Sequence, residues 1–305
     1  MKKNLQKLLL SFLIFNYESF ASHLVEDELT SAQASIRFYN SLIKGYEKSE
    51  NNEEHQQHVT LLKKIYLAAE NGNGKCQCKL GQLYLCVHPS LDKDYKLSFY
   101  FLNKAVNNKI PEAYGYLSAV YFYGLEREKN INKALELALL GAEANEPQAY
   151  IILGEHYGSF DTEGDKNKSF DYYLKAAKLG IARTYLIIGK MYEEGIGIPV
   201  DKNKAFEWYK KAVDNDIPCA YCALGQCYIK GDGVEKNCDE GLKLLKTGAE
   251  KEDVITHIIL AEYYIDGKII AQDLDEAEKW ATQPVVINDP RAINLVNKIN
   301  DLKMK

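Results

Sequence analysis

One spacing constrains this chain more than any other feature: an aliphatic residue, a small residue, two variable positions and a tyrosine recur about every 36 residues. The small residues are Gly81, Ser118, Gly154, Gly189, Gly225 and Ala261, at intervals of 37, 36, 35, 36 and 36. Their tyrosines are Tyr84, Tyr121, Tyr157, Tyr192, Tyr228 and Tyr264. In a helix the aliphatic residue and the tyrosine lie four apart on one face, and the small residue lets a neighbouring helix come close. A unit of this length cannot enclose its own apolar face, so copies must stack on one another.

A second helix follows in each copy. Fifteen or sixteen residues beyond the small residue come Leu97, Ala134, Ser169, Ala205, Gly241 and Ala277. Four positions before five of these stand Asn130, Asp165, Asp201, Asn237 and Asp273, side chains that cap the free amides of a helix start. Lys93 interrupts the series, and Asp92 or Asp94 can substitute for it. In two copies the turn between the helices carries Gly195 and Gly197, or Gly231 and Gly233, where positive φ lets the chain reverse. Each copy is therefore predicted to be an antiparallel helical hairpin, and the fold class an all-α solenoid.

The two ends read differently. Over residues 22–72, Leu29, Ala32, Ile36, Tyr39, Ile43 and Tyr46 mark one helical face. A polar joint, KSENNEEHQQH, separates it from a second series, Val59, Leu62, Ile65, Tyr66 and Ala69. This pair reads as a degenerate capping hairpin before the six repeats of 73–283. Over 284–305, Asp289-Pro290 signals a helix start, and Ala292, Leu295, Val296, Ile299 and Leu302 share the face that covers the last repeat.

Residues 1–21 read as a signal peptide. Lys2, Lys3 and Lys7 precede the apolar run Leu8 to Phe15, and Ser19 and Ala21 fit cleavage after Ala21. The run is too short for a membrane span, and no later segment is long and apolar enough for one. The expected mature protein is exported, periplasmic or secreted, with no integral membrane segment. The chain carries a net charge of -5, or -7 once the first 21 residues are removed. An acidic chain with interspersed charges gives no footprint for a nucleic-acid partner.

Signals for chemistry are sparse. There is no His-Glu-x-x-His, Gly-x-Ser-x-Gly or phosphate loop, and the Gly-x-Gly turns follow no strand, so neither a cofactor nor a catalytic residue is expected. His55 and His58 lie in the polar joint, and His156 lies beside a packing tyrosine; each reads as a solvated or satisfied histidine. Cys76, Cys78 and Cys86 lie in the first copy, and Cys219, Cys222, Cys227 and Cys238 in the fifth. Cys227 and Cys238 stand at nearly equal distances from the turn at Asp232, which makes them the candidate disulfide. Cys219 and Cys222 form a C-x-x-C behind Pro218 at a helix start, but no strand precedes it as a redox site requires. The spacing of the fifth copy's cysteines does not converge on a tetrahedron, so no metal is expected.

LIIGKMYEEGIGIPVDKNKAFEWYKKA in the fourth copy and ALGQCYIKGDGVEKNCDEGLKLL in the fifth resemble Sel1-like repeats, relatives of the tetratricopeptide repeats. The resemblance covers roughly 73–283 and implies a superhelix whose first helices line a concave groove. On that geometry the residue after each small residue faces the groove: Gln82, Ala119, Glu155, Lys190, Gln226 and Glu262. Tyr123, Arg183, Glu194 and Lys230 are expected to share it. The same positions would face solvent in a helix with no partner. A mixed polar ladder suits a peptide or protein partner better than an apolar small molecule. The resemblance thus implies a non-catalytic interaction scaffold, in the bacterial envelope or at a host interface. It also implies an alternative, a secreted enzyme of the β-lactam-binding or hydrolysing type. Ser41 to Lys44 and Ser90 to Lys93 match Ser-x-x-Lys, and Lys246-Thr247-Gly248 reads K-T-G on a predicted helix, but there is no Ser-Asp-Asn.

Overall fold

The computed structural model describes residues 37, 53–85, 93–125 and 128–304. The predicted signal segment and most of the predicted first helix of 22–72 lie outside the described residues. Within the described residues there are fourteen helices and no strands. They are α1 (Glu53–Glu70), α2 (Gly74–Leu85), α3 (Tyr95–Asn107), α4 (Pro111–Tyr123), α5 (Ile131–Glu143), α6 (Pro147–Gly158) and α7 (Glu163–Lys178). The second seven are α8 (Arg183–Glu194), α9 (Lys202–Asp214), α10 (Pro218–Lys230), α11 (Cys238–Glu250), α12 (Val254–Asp266), α13 (Leu274–Ala281) and α14 (Pro290–Lys303). Helices α2 to α13 pair as first and second helices of six hairpins. The chain divides into two compact units, 1–153 and 154–305, with the division inside α6.

In the first unit, α1 lies against α2 and α3 through Leu62, Tyr66, Ala69, Leu80, Tyr84, Leu97 and Phe101. Tyr66 meets Phe101 edge-on at 5.9 Å. A second core joins Cys78, Leu102, Ala105, Ala113, Leu117, Val120 and Leu137. Arg37, itself helical, places its guanidinium on both carboxylate oxygens of Asp94, at 2.7 and 3.0 Å. The second half of the expected polar joint is helical, because α1 begins at Glu53 and takes in His55 and His58. Nothing in that run breaks a helix: it holds neither Gly nor Pro, and Glu and Gln are good helix formers. In the second unit α14 closes the series, with Ala292 and Ile299 buried and Leu295, Val296 and Leu302 against the last hairpin.

The repeat spacing has a packing cause at each level. A Cβ added to Gly189 would stand 2.5 Å from the Tyr209 ring, and one added to Gly81 would stand 2.5 Å from Leu102, so the small residue admits the partner helix. The motif tyrosines also meet the preceding hairpin: Tyr121 meets Phe99 at 5.7 Å, Tyr192 meets Phe170 at 5.3 Å and Tyr228 meets Phe206 at 5.5 Å, all edge-on. Such contacts contribute beyond the apolar area they bury.

The turns repeat as well. Asp94, Asn130, Asp201, Asn237 and Asp273 cap their second helices through the side chain. Each of these residues also donates its backbone N–H to the carbonyl of its motif tyrosine, at 2.8 to 3.2 Å. The third copy departs from expectation. Its cap is Thr162, whose hydroxyl accepts from Asp165 N, and Asp165 lies inside the first turn of α7. This copy has one residue fewer between the motif tyrosine and α7's buried Ser169, and the helix starts earlier.

Candidate functional site

The residues expected in a groove sit on the first helices, and each unit holds its own set. In the first unit, Gln82 on α2 donates to the Tyr116 hydroxyl on α4 at 2.7 Å and accepts from Lys79 at 3.4 Å. Two consecutive first helices therefore face each other there. Ala119 is only 6% exposed, so this rung of the expected ladder is a packing position. Tyr123 is 42% exposed and lies edge-on to Phe122 at 5.3 Å.

In the second unit, half-buried Glu155 and exposed Arg183 lie around the Tyr173 phenol. Burial and then Glu155 push that phenol up, while Arg183 acts in the opposite direction. Lys190 pairs with Glu194 one turn away at 3.6 Å, both largely exposed. Lys230 donates to Gln226 at 3.3 Å. Asp289, and after it Glu262, raises the Arg291 guanidinium on α14, and Lys298 lies 3.8 Å from Asp266 on α12. Two sets of the predicted residues thus form local pairs within one helix, Lys190 with Glu194 and Gln226 with Lys230, whereas Glu155 and Arg183 both act on Tyr173. Exposed pairs of this kind contribute little to stability, which leaves them available for exchange with a partner's charges.

A better-buried polar cluster was not anticipated from the sequence. Tyr209 donates to Glu193 at 2.6 Å, and Lys202 lies 3.8 Å from Glu193 and 3.4 Å from Asp232. It spans α8, α9 and the turn after α10. Its members are separated by up to 39 positions, which no local spacing reveals.

Cys227 and Cys238 are both free thiols, which corrects the expected disulfide. Equal distance from a turn does not by itself join two thiols, and the two have different neighbours. Cys227 is buried towards Glu193, Lys202 and Tyr209 of the preceding hairpin, whereas Cys238 neighbours Tyr263 on α12 of the following one. Cys219 and Cys222 sit in the first two turns of α10, where burial raises both thiols, Cys222 to about 11. That is the opposite of the activation a redox pair needs. Among the described residues no group of three or more His, Cys, Asp or Glu is placed to hold a metal ion.

Of the fragments that match β-lactamase motifs, Lys93 and Lys246 to Gly248 lie among the described residues. Ser41, Lys44 and Ser90 lie outside them. Lys246, Thr247 and Gly248 are helical in α11; Thr247 donates to the Lys243 carbonyl at 3.1 Å, and Gly248 has only close-packed room beside Tyr221 and Thr256. Among the described residues, no helix is long and apolar enough to cross a membrane.

Antiparallel helical hairpins joined by capped turns and locked by tyrosines define an α-solenoid repeat protein. The chain belongs to the Sel1 repeat family, whose model matches it six times, at 74–109, 111–146, 147–181, 185–216, 220–253 and 257–283. A Sel1 repeat protein from Oxalobacter formigenes is similar at 26% identity, with a TM-score of 0.62 over 75% of this chain and 97% of that one. The protective antigen c5321 of uropathogenic Escherichia coli shares the fold at 22% identity, with a TM-score of 0.67 over 88% of this chain and 58% of that one. This chain therefore spans little more than half of the antigen's length. Curated protein sequences give no significant match. The fold is a scaffold compatible with protein–protein interaction.

Proposed function

We propose that this protein is a non-catalytic, exported scaffold that holds a peptide or protein segment on its first-helix faces, in the bacterial envelope or at a host interface. One observation carries the reading. The position after the small residue is Gln82, Glu155, Lys190, Gln226 and Glu262 in five copies, with Lys190 and Glu262 exposed and the other three partly buried, while the small residue itself is buried in every copy. A fixed scaffold with a variable polar face is what recognition of an extended polar partner requires. Tyr123, Arg183, Glu194 and Lys230 extend that face. Lysine-rich and apolar residues 1–21 support export, with Ser22 as the first mature residue.

The test is partner capture from envelope and host extracts with wild type and the double variant Glu155→Lys/Lys190→Glu. We expect the double variant to lose the main captured proteins; capture unchanged for every partner would overturn the groove. Turnover of a β-lactam by the purified protein would overturn the non-catalytic reading. N-terminal sequencing of protein recovered outside the cytoplasm tests export, and a chain retained inside with residues 1–21 intact would sink it.

A further inference from the structure

Between consecutive hairpins the chain turns through a residue with positive φ, and the residue after it enters the next first helix. That entry residue is Ile110, Glu146, Ile181, Ile217 or Asp253 in successive junctions. Three are apolar, and Asp253 is a half-buried cap that accepts from Thr256 N at 2.9 Å. Glu146 differs from all of them: it is 7% exposed and buries a whole carboxyl group.

The surroundings are shaped to that carboxyl. Its Oε2 accepts from Gln148 N at 2.8 Å and from Ala149 N at 3.2 Å, both in the first turn of α6. On the other side lies Gly115 of α4, where an added Cβ would stand 2.2 Å from the same oxygen. The titratable groups that face Glu146 are Glu112 on α4 and the Cys78 thiol on α2. Both are acids, and among the described residues no Lys or Arg forms an ion pair with Glu146. Burying a carboxylate without a cation disfavours its charged form, and two backbone donors offset only part of that cost.

We infer that Glu146 is a proton-linked latch, which holds the start of α6 against α4 while its carboxyl is protonated and loosens it once the carboxyl ionises. Burial, with Glu112 adding to it, pushes the group up to about 7, against the ordinary glutamate value of 4.5. The backbone donors of Ala149 and Gln148 act in the opposite direction and do not prevail. The sign follows: the folded form keeps its proton where an unfolded chain has lost it. The latch contribution is complete below the ordinary value and disappears as pH rises through the folded one.

The test is amide hydrogen exchange over 147–152 in the full chain, corrected for intrinsic rates, at about pH 4.5 and about pH 8, for wild type and Glu146→Gln. The glutamine keeps the acceptor oxygen and the shape of the protonated acid. We expect protection in the wild type to fall by roughly a hundredfold between the two conditions, and protection in Glu146→Gln to stay level. Equal pH dependence in the two proteins would overturn the latch. If the variant does not fold, a carboxyl-carbon titration of Glu146 in the wild type decides instead: a midpoint near neutrality supports it, and one near the ordinary glutamate value overturns it.

Discussion

The hairpin turns of the third and fourth repeats do the same job with different parts. In the fourth, α8 ends on Gly195 at φ +72°, Gly197 follows at φ +67°, and Asp201 both caps α9 and donates its N–H to the Tyr192 carbonyl at 2.9 Å. In the third, Gly158 to Asp161 hold no positive-φ residue, and the cap moves to Thr162. The comparison separates two roles that the Gly-x-Gly pattern merges. Gly195 ends a helix, whereas Gly197 also fits against the neighbouring repeat. A Cβ on Gly197 would stand 2.2 Å from the Lys166 carbonyl oxygen, in the first turn of α7. Turned so that its nitrogen faces acceptors, the Asn167 amide donates to the Gly197 carbonyl at 2.8 Å. The start of α7, just beyond the plainer third turn, is thus the surface on which the fourth turn is seated.

The largest expected effect exploits that contact. Gly197→Ala forces a left-handed alanine and drives its methyl into backbone that cannot rotate away, so about 3 kcal/mol of stability should be lost. A Cβ on Gly233 would likewise stand 2.1 Å from the Lys202 carbonyl oxygen, and its alanine variant should behave alike. The counterpart in the third repeat is Gly164, which has open space around it and sits in the first turn of α7. Gly164→Ala should raise stability by about 0.5 kcal/mol. Thermal melts of both variants test the pair, and a Gly197→Ala melt equal to wild type would show that the inter-repeat contact is soft.

Caps come next in size. Thr162→Ala should cost about 1 kcal/mol, because the hydroxyl is the side-chain acceptor for the start of α7. Asp165→Ala leaves that acceptor in place and should cost less. In the fourth repeat the order reverses in position, since Asp201→Ala removes the cap itself and should resemble Thr162→Ala. Urea unfolding of the three variants ranks them. A larger loss for Asp165→Ala than for Thr162→Ala would return the cap to the position read from spacing.

That third-repeat cap shows where sequence reading stops. Asp201, Asn237 and Asp273 were legible because capping chemistry and repeat spacing point to the same residue. In the third copy they disagree: spacing points to Asp165, and a shorter loop lets the helix start at Thr162. The candidate surface was legible only as far as helix periodicity reaches. Lys190 with Glu194 and Gln226 with Lys230 are one-turn neighbours, so their pairing follows from sequence. Gln82 with Tyr116 and Glu193 with Tyr209 and Lys202 depend on how helices approach, and so do the different neighbours of Cys227 and Cys238. Glu146 was missed because its junction is usually filled by isoleucine, and a lone charged residue in a turn reads as solvated.

The smallest effect concerns the junctions between hairpins, where a feature with no sequence signature recurs at the repeat spacing. Gly72, Lys109, Asn145, Gly180, Asp216 and Glu252 all have positive φ. After the third repeat the position is Gly180 at φ +86°, which costs nothing; after the fifth it is Glu252 at φ +62°, where a side chain is crowded by the following carbonyl. Glycine there relieves that crowding but frees the unfolded chain, so the two terms partly cancel. Glu252→Gly should therefore raise stability by only about 0.5 kcal/mol, and Gly180→Ala should lower it by about 1 kcal/mol. Opposite shifts in melting temperature for the two variants support a left-handed residue at every junction. A loss in both would mean that the Glu252 side chain contributes a contact larger than the backbone strain it carries.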